Sequence, residues 1–176
     1  MTEASDRTTQ DPVAYREWEI SLIGEGDPAE VQAELPAQLR ELLATGGDAA
    51  TRRPAADAWS PLEVAAHLVD TEIIYSARYR YIVAHDQPPL VGYDPELLMA
   101  RLHPHIDAEN LPLLLDTLSV LRRANVALWR ALSVSERHRV GVHPERGPET
   151  LDTAFRQVAG HGILHLQQVR EALSLS

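Results

Sequence analysis

The chain has 176 residues, 44% hydrophobic and 24% charged, with a formal net charge of −10, the balance of one globular domain that buries about 70% of its unfolded surface. It has no cysteine, and all 16 basic residues are arginine. This excludes disulfides, thiolate metal sites, a cysteine nucleophile, a Schiff-base lysine and a phosphate-loop lysine. The acidic excess argues against a nucleic-acid partner, which requires a basic face to neutralise phosphates, and leaves the eight histidines and the carboxylates to carry any metal or acid–base chemistry.

Residues 1–26 read as a polar tail followed by an apolar lead-in. The first ten are expected to be disordered, and the stretch holding Trp18, Ile20, Leu22 and Ile23 is open between a short helix and an extended segment. Residues 27–176 read as a single helical domain. Asp27-Pro28 is an N-cap with proline at the first helical position, followed by Val31, Leu35, Leu39, Leu42 and Leu43 at helical spacing; Pro36 is placed to kink or split this helix, and Gly46-Gly47 to end it. After a loop, Ser60-Pro61-Leu62-Glu63 is a capping box that opens a helix reaching about His85. Its apolar residues run nearly all the way round, the mark of a helix buried among others.

Asp94-Pro95 starts a short helix to about Leu102, and a leucine-rich helix covers about Asp107 to Leu132. A loop with Gly141, Pro144, Gly147 and Pro148 leads to a last helix from about Thr150 to Leu173. No β-alternation of useful length is present, and no apolar run approaches the ~18 residues of a membrane span. The first residues also lack a signal-like apolar core, so a cytoplasmic location is expected. The fold class is therefore all-α, an up-and-down four-helix bundle with the helices around His67 and His165 facing each other across the core.

His161 and His165 lie one helical turn apart. Placed at about 100° per residue, they flank the apolar arc beside Ala154, Val158 and Ala172, so they turn inward together. Two inward histidines at this spacing can hold one ion from a rigid helix. Gly162 follows His161 where the zincin motif has its glutamate, so the pair is not that motif. His67, on an apolar face of the capped helix, is placed to complete a three-histidine site; alternatively it is a core histidine bonded to a carbonyl.

The run from Trp59 to Asp70 (Trp-Ser-Pro-Leu-Glu-Val-Ala-Ala-His-Leu-Val-Asp) and the segment His161-Gly-Ile-Leu-His165-Leu-Gln-Gln168 resemble the DinB/YfiT-like metalloenzyme family. Tyr93-Asp94, Leu121-Arg122 and the turn from Gly147 to Leu151 follow its order, so the resemblance covers Asp27 to Leu173. It implies a four-helix bundle, a homodimer, and a divalent metal on His67, His161 and His165. It also implies an enzyme, foremost a transferase using a low-molecular-weight thiol such as bacillithiol or mycothiol on a small electrophile. The other readings are a metal-dependent amide or ester hydrolase and a non-enzymatic metal-binding bundle. Three neutral imidazoles suit zinc or nickel and leave a position open for water or substrate.

Around the triad, Gln168 is placed to orient a ligand, and Asp70 either accepts an imidazole N–H or lies exposed. Glu63 is taken up by the capping box. His143 is expected in a solvated loop, with acid–base work at the site mouth as the alternative. His85, His103, His105 and His138 are expected at the surface, and Trp59 and Trp129 in the core. Arg78 and Arg122 are expected at the surface, or, if inward, with a partner or an anionic substrate.

Overall fold

Four helices begin with the same short-range signal, a capping side chain and then proline. In the computed structural model, which describes residues 11–174, Asp11, Asp27, Ser60 and Asp94 each accept backbone N–H groups of the following turn, with proline at the helix start. These caps open α1 (Pro12–Ser21), α2 (Pro28–Gly46), α3 (Pro61–Ala84) and α4 (Pro95–Leu102). The tail expected to be disordered lies outside the described residues. The segment left open between helix and extended chain is α1. The Ser60 box is complete, with Glu63 N–H donating to Ser60 Oγ at 3.2 Å and Ser60 N–H to Glu63 Oε2 at 2.8 Å. Partial burial alone would raise the Glu63 carboxyl, but the bonds from Arg53 and Ser60 outweigh it and hold it below the usual range.

Besides two 3-10 turns at Gly47–Thr51 and Ala108–Asn110, the remaining elements are α5 (Leu111–Ala131), the single turn α6 (Val134–Arg137), the strands β1 (Val140–His143) and β2 (Gly147–Thr150), and α7 (Leu151–Ser174). Pro36 does not split α2, which is continuous across it. The loop expected between α5 and α7 contains an antiparallel hairpin, Val140 pairing with Thr150 and His143 with Gly147. Four-residue strands interrupted by Gly141 and Pro148 are too short to produce an alternation in sequence. Gly141 sits close under the core: a Cβ there would come within 2.8 Å of Leu90 Cδ2 and 2.9 Å of Ile82 Cγ1, and those side chains would have to shift.

The bundle consists of α2, α3, α5 and α7, but not as sequential neighbours. Going round it, α2 packs on α7, α7 on α3, α3 on α5 and α5 on α2. Consecutive helices α2 and α3 barely meet, so the up-and-down order expected from sequence is corrected. The long links 47–60 and 132–150 carry the chain across the diagonals, where short loops would have forced adjacency. As a result α3 and α7 lie side by side instead of facing across the core. No helix among the described residues is long and apolar enough to cross a membrane.

One half of the core is aromatic, with Trp129 stacked on Phe155 at 4.2 Å between centroids and Tyr79 against the same ring. The other half is aliphatic, with Leu35, Leu39, Leu68, Leu118 and Val169 each about fully buried. Each such side chain contributes roughly 1.5–3 kcal/mol of transfer free energy. Arg78 and Arg122, expected at the surface, are 3% and 1% exposed. Arg122 is buried because Glu72 lies against it, Nε to Oε2 at 2.5 Å. Arg78 donates to the Val91 carbonyl and stacks on the Tyr75 ring at 4.4 Å.

Candidate metal centre

His67 comes from α3, two turns after the capping box. His161 and His165 come from one face of α7, the helix beside it. One ligand atom from each can be chosen so that all three lie within 4.8 Å of one another. His67 and His165 are buried and His161 half-buried. His67 Nε2 stands 3.0 Å from His161 Nε2, and the ring centroids are 4.3–5.1 Å apart. Trp59 lies over His67 at 5.0 Å, closing one side with an apolar ring.

The hydrogen bonds at the far side of the α7 rings decide which nitrogens face inward. His161 Nδ1 lies 2.8 Å from Glu19 Oε1, and His165 Nδ1 lies 2.7 Å from Gln168 Oε1. Both partners are acceptors, so each Nδ1 carries a proton, and in the neutral form of each ring Nε2 presents a lone pair. At 3.0 Å, His67 Nε2 and His161 Nε2 must share either a proton or a cation. Two imidazole nitrogens about 2.0–2.1 Å from one tetrahedral zinc lie about 3.3 Å apart. The donor set therefore fits a divalent metal ion.

Glu19 was missed by sequence reasoning. It sits on α1, 142 positions from His161, and is 1% exposed. Its second oxygen accepts from Gln157 Nε2 at 2.8 Å, and Gln157 Oε1 accepts from the Tyr75 hydroxyl at 2.9 Å. The available signal was Gly160. A Cβ there would stand 1.8 Å from the Glu19 carbonyl oxygen, so only glycine lets the two backbones meet. Also missed was the hydroxyl pair of Thr71, one turn after His67, and Tyr93, 3.1 Å apart. Burial pushes the Tyr93 hydroxyl up, against the pull of its Thr71 bond, and keeps it a neutral donor.

Gln168 lies against His165. Asp70 does not reach the triad. It pairs with His103, Nε2 to Oδ2 at 2.9 Å, and both are largely covered, so His103 is not the free surface residue expected. His143 is also corrected: it is 3% exposed, because β1 turns it inward against Arg78. Burial first, then the charges of Arg146 and Arg78, push its pKa down to about 4. Its Nδ1 accepts from the backbone N–H groups of Glu145 and Arg146. His85, His105 and His138 are exposed, Trp129 is in the core and Trp59 packs at its edge, as expected.

Residues 30–169 match the sequence profile of the DinB superfamily. Among solved structures, the chain is similar to YfiT from Bacillus subtilis, described as a probable metal-dependent hydrolase with an unusual four-helix bundle topology. The two are 22% identical, with a TM-score of 0.75 over 82% of this chain and 83% of that one. No curated protein matches the chain.

Proposed function

The chain belongs to the DinB superfamily, and on that premise we propose that it is a divalent-metal-dependent hydrolase of a small amide or ester, with His67, His161 and His165 as the ligands. The observation that carries this is the convergence of the three rings, with both α7 imidazoles held as Nδ1–H tautomers by Glu19 and Gln168. When bound, zinc or nickel would supply Lewis acidity, bringing the pKa of a water or a thiol to near neutral. The protein's own contribution is geometric. Gln168 fixes the His165 ring, Trp59 packs against one side of His67, and the Thr71–Tyr93 pair offers a neutral hydroxyl donor one turn along α3 from His67.

Water is preferred as nucleophile because YfiT is described as a probable hydrolase. A transferase with a low-molecular-weight thiol uses the same three imidazoles, and in a chain without cysteine the thiol must come from outside. In this reading the protein is a cytoplasmic homodimer acting on a small molecule, and the net charge of −10 keeps nucleic acid away.

The test is elemental analysis of protein purified without a histidine tag, followed by assays on activated esters, amides and small electrophiles with and without added thiol. The expected result is about one zinc or nickel per chain and hydrolysis that chelator abolishes. His67→Ala should lose the metal while keeping its helix content. Turnover that requires thiol moves the assignment to the transferase, and full metal content in His67→Ala overturns the ligand set.

A further inference from the structure

The histidine triad lies within the residues that match the superfamily, whereas α1 lies before them. Even so, α1 reaches the triad. It packs along α7, and Gly160 lets the backbones come so close that any side chain there would collide with the Glu19 carbonyl. Glu19 is buried, with one oxygen on His161 Nδ1 and the other on Gln157. Gln157 is itself braced by the Tyr75 hydroxyl of α3. A carboxylate buried in this way, with both oxygens engaged beside three imidazole rings, is placed to offset the charge of a cation held by those rings.

We propose that α1 is a working part of the metal centre: Glu19 is a positioning residue that fixes His161 with its Nε2 lone pair facing the ion, and seating of α1 and metal occupancy reinforce each other. The metal half of this rests on the triad being the ligand set. A carboxylate on the outer nitrogen locks the tautomer and raises the basicity of the inner one, and losing such a partner typically lowers metal affinity 10–100-fold. Gln168 does the same for His165 without a charge, so the centre has one neutral and one anionic brace. Because binding free energies are reciprocal, whatever α1 adds to metal affinity the metal returns to the seating of α1.

Full-length variants test this through zinc affinity, measured in competition with a chromogenic chelator. Glu19→Ala should weaken zinc binding about 10–100-fold, and Glu19→Gln, which keeps an acceptor oxygen without the charge, should recover part of the loss. Gly160→Ala leaves Glu19 in the chain but blocks its seat, so it should weaken zinc to a similar extent. Combined with Glu19→Ala it should add little, since both remove one contact. Zinc should also slow hydrogen exchange of the α1 amides in the wild type and not in Gly160→Ala. In metal-free protein, ring 15N shifts should report Nδ1–H at His161 and lose that preference in Glu19→Ala, a change that generic loosening of a helix would not cause.

Wild-type zinc affinity in Glu19→Ala, with an unchanged His161 tautomer, overturns the proposal. If wild type and His165→Ala alike take up no zinc, the ligand assignment fails and the coupling with it. The ring shifts would still decide whether Glu19 positions His161.

Discussion

Two buried polar clusters share α3. Between α3 and α5, the Glu72 carboxylate lies against the Arg122 guanidinium at 2.5 Å, and Asn125 Nδ2 donates to Glu72 Oε1 and to Ser76 Oγ at 2.5 and 2.7 Å. Between α3 and α7, three imidazoles meet with a carboxylate behind one of them and an amide oxygen behind another. The first cluster sets one anion against one cation, so its charges balance without a ligand. The second sets a buried carboxylate behind one ring of a triad whose nitrogens could hold a cation. Equal burial therefore does not imply equal purpose, and counting charges and lone pairs separates a strut from a receptor.

The strongest way to break this comparison is to remove one side of the strut. Arg122→Leu leaves the Glu72 carboxylate buried and uncompensated, and urea unfolding should show a loss of about 3–5 kcal/mol, unaffected by zinc. Glu72→Met combined with Arg122→Leu should recover most of it, because the burial of an unpaired charge is then gone. A small loss in the single variant would mean that the pair is not what organises this region.

His143 sharpens the contrast, being a buried histidine among guanidiniums instead of acceptors. Its folded pKa of about 4 lies below the unfolded value of about 6.5. Between these values the unfolded chain holds the extra proton, so the stability is fully present above about pH 6.5 and falls as pH drops towards 4, by up to about 3 kcal/mol. Unfolding of His143→Gln across this range should show a flatter pH dependence. An unchanged slope would place the ring in solvent.

Zinc gives the smallest of the three effects. At a free concentration 100 times its dissociation constant it should stabilise the wild type by about 2.7 kcal/mol, read as a shift in the denaturant midpoint, and should not shift His165→Ala. A similar shift in both proteins would locate the ion elsewhere.

What was legible in the sequence follows the range of the interactions involved. Asp27-Pro28, Ser60-Pro61 and Asp94-Pro95 announce helix starts because a cap acts within one turn. His161 and His165 share a face because helical pitch requires it, and His67 was offered as a third ligand by its apolar face and then by the resemblance. The ring order of the helices was not legible, since links long enough to span either an edge or a diagonal carry no record of which they do. Glu19 was not legible because nothing local connects it to His161. Its trace was a glycine on the side of α7 away from the apolar arc, beside Arg156, Gln157 and Gln167. His143 and Asp70 were misplaced because a loop histidine and a helix-face aspartate look solvent-exposed until a hairpin or α4 covers them.

The side-by-side placement of α3 and α7 also bears on when the centre can first exist. During synthesis His67 emerges long before residues 161 and 165 have been translated, and its two companions sit on the final helix. A nascent chain thus holds one isolated imidazole with no more attraction for a transition metal than any exposed histidine. The centre can assemble only after α7 leaves the ribosome and lies down against α3, so ion capture waits for the last element of the site to be made.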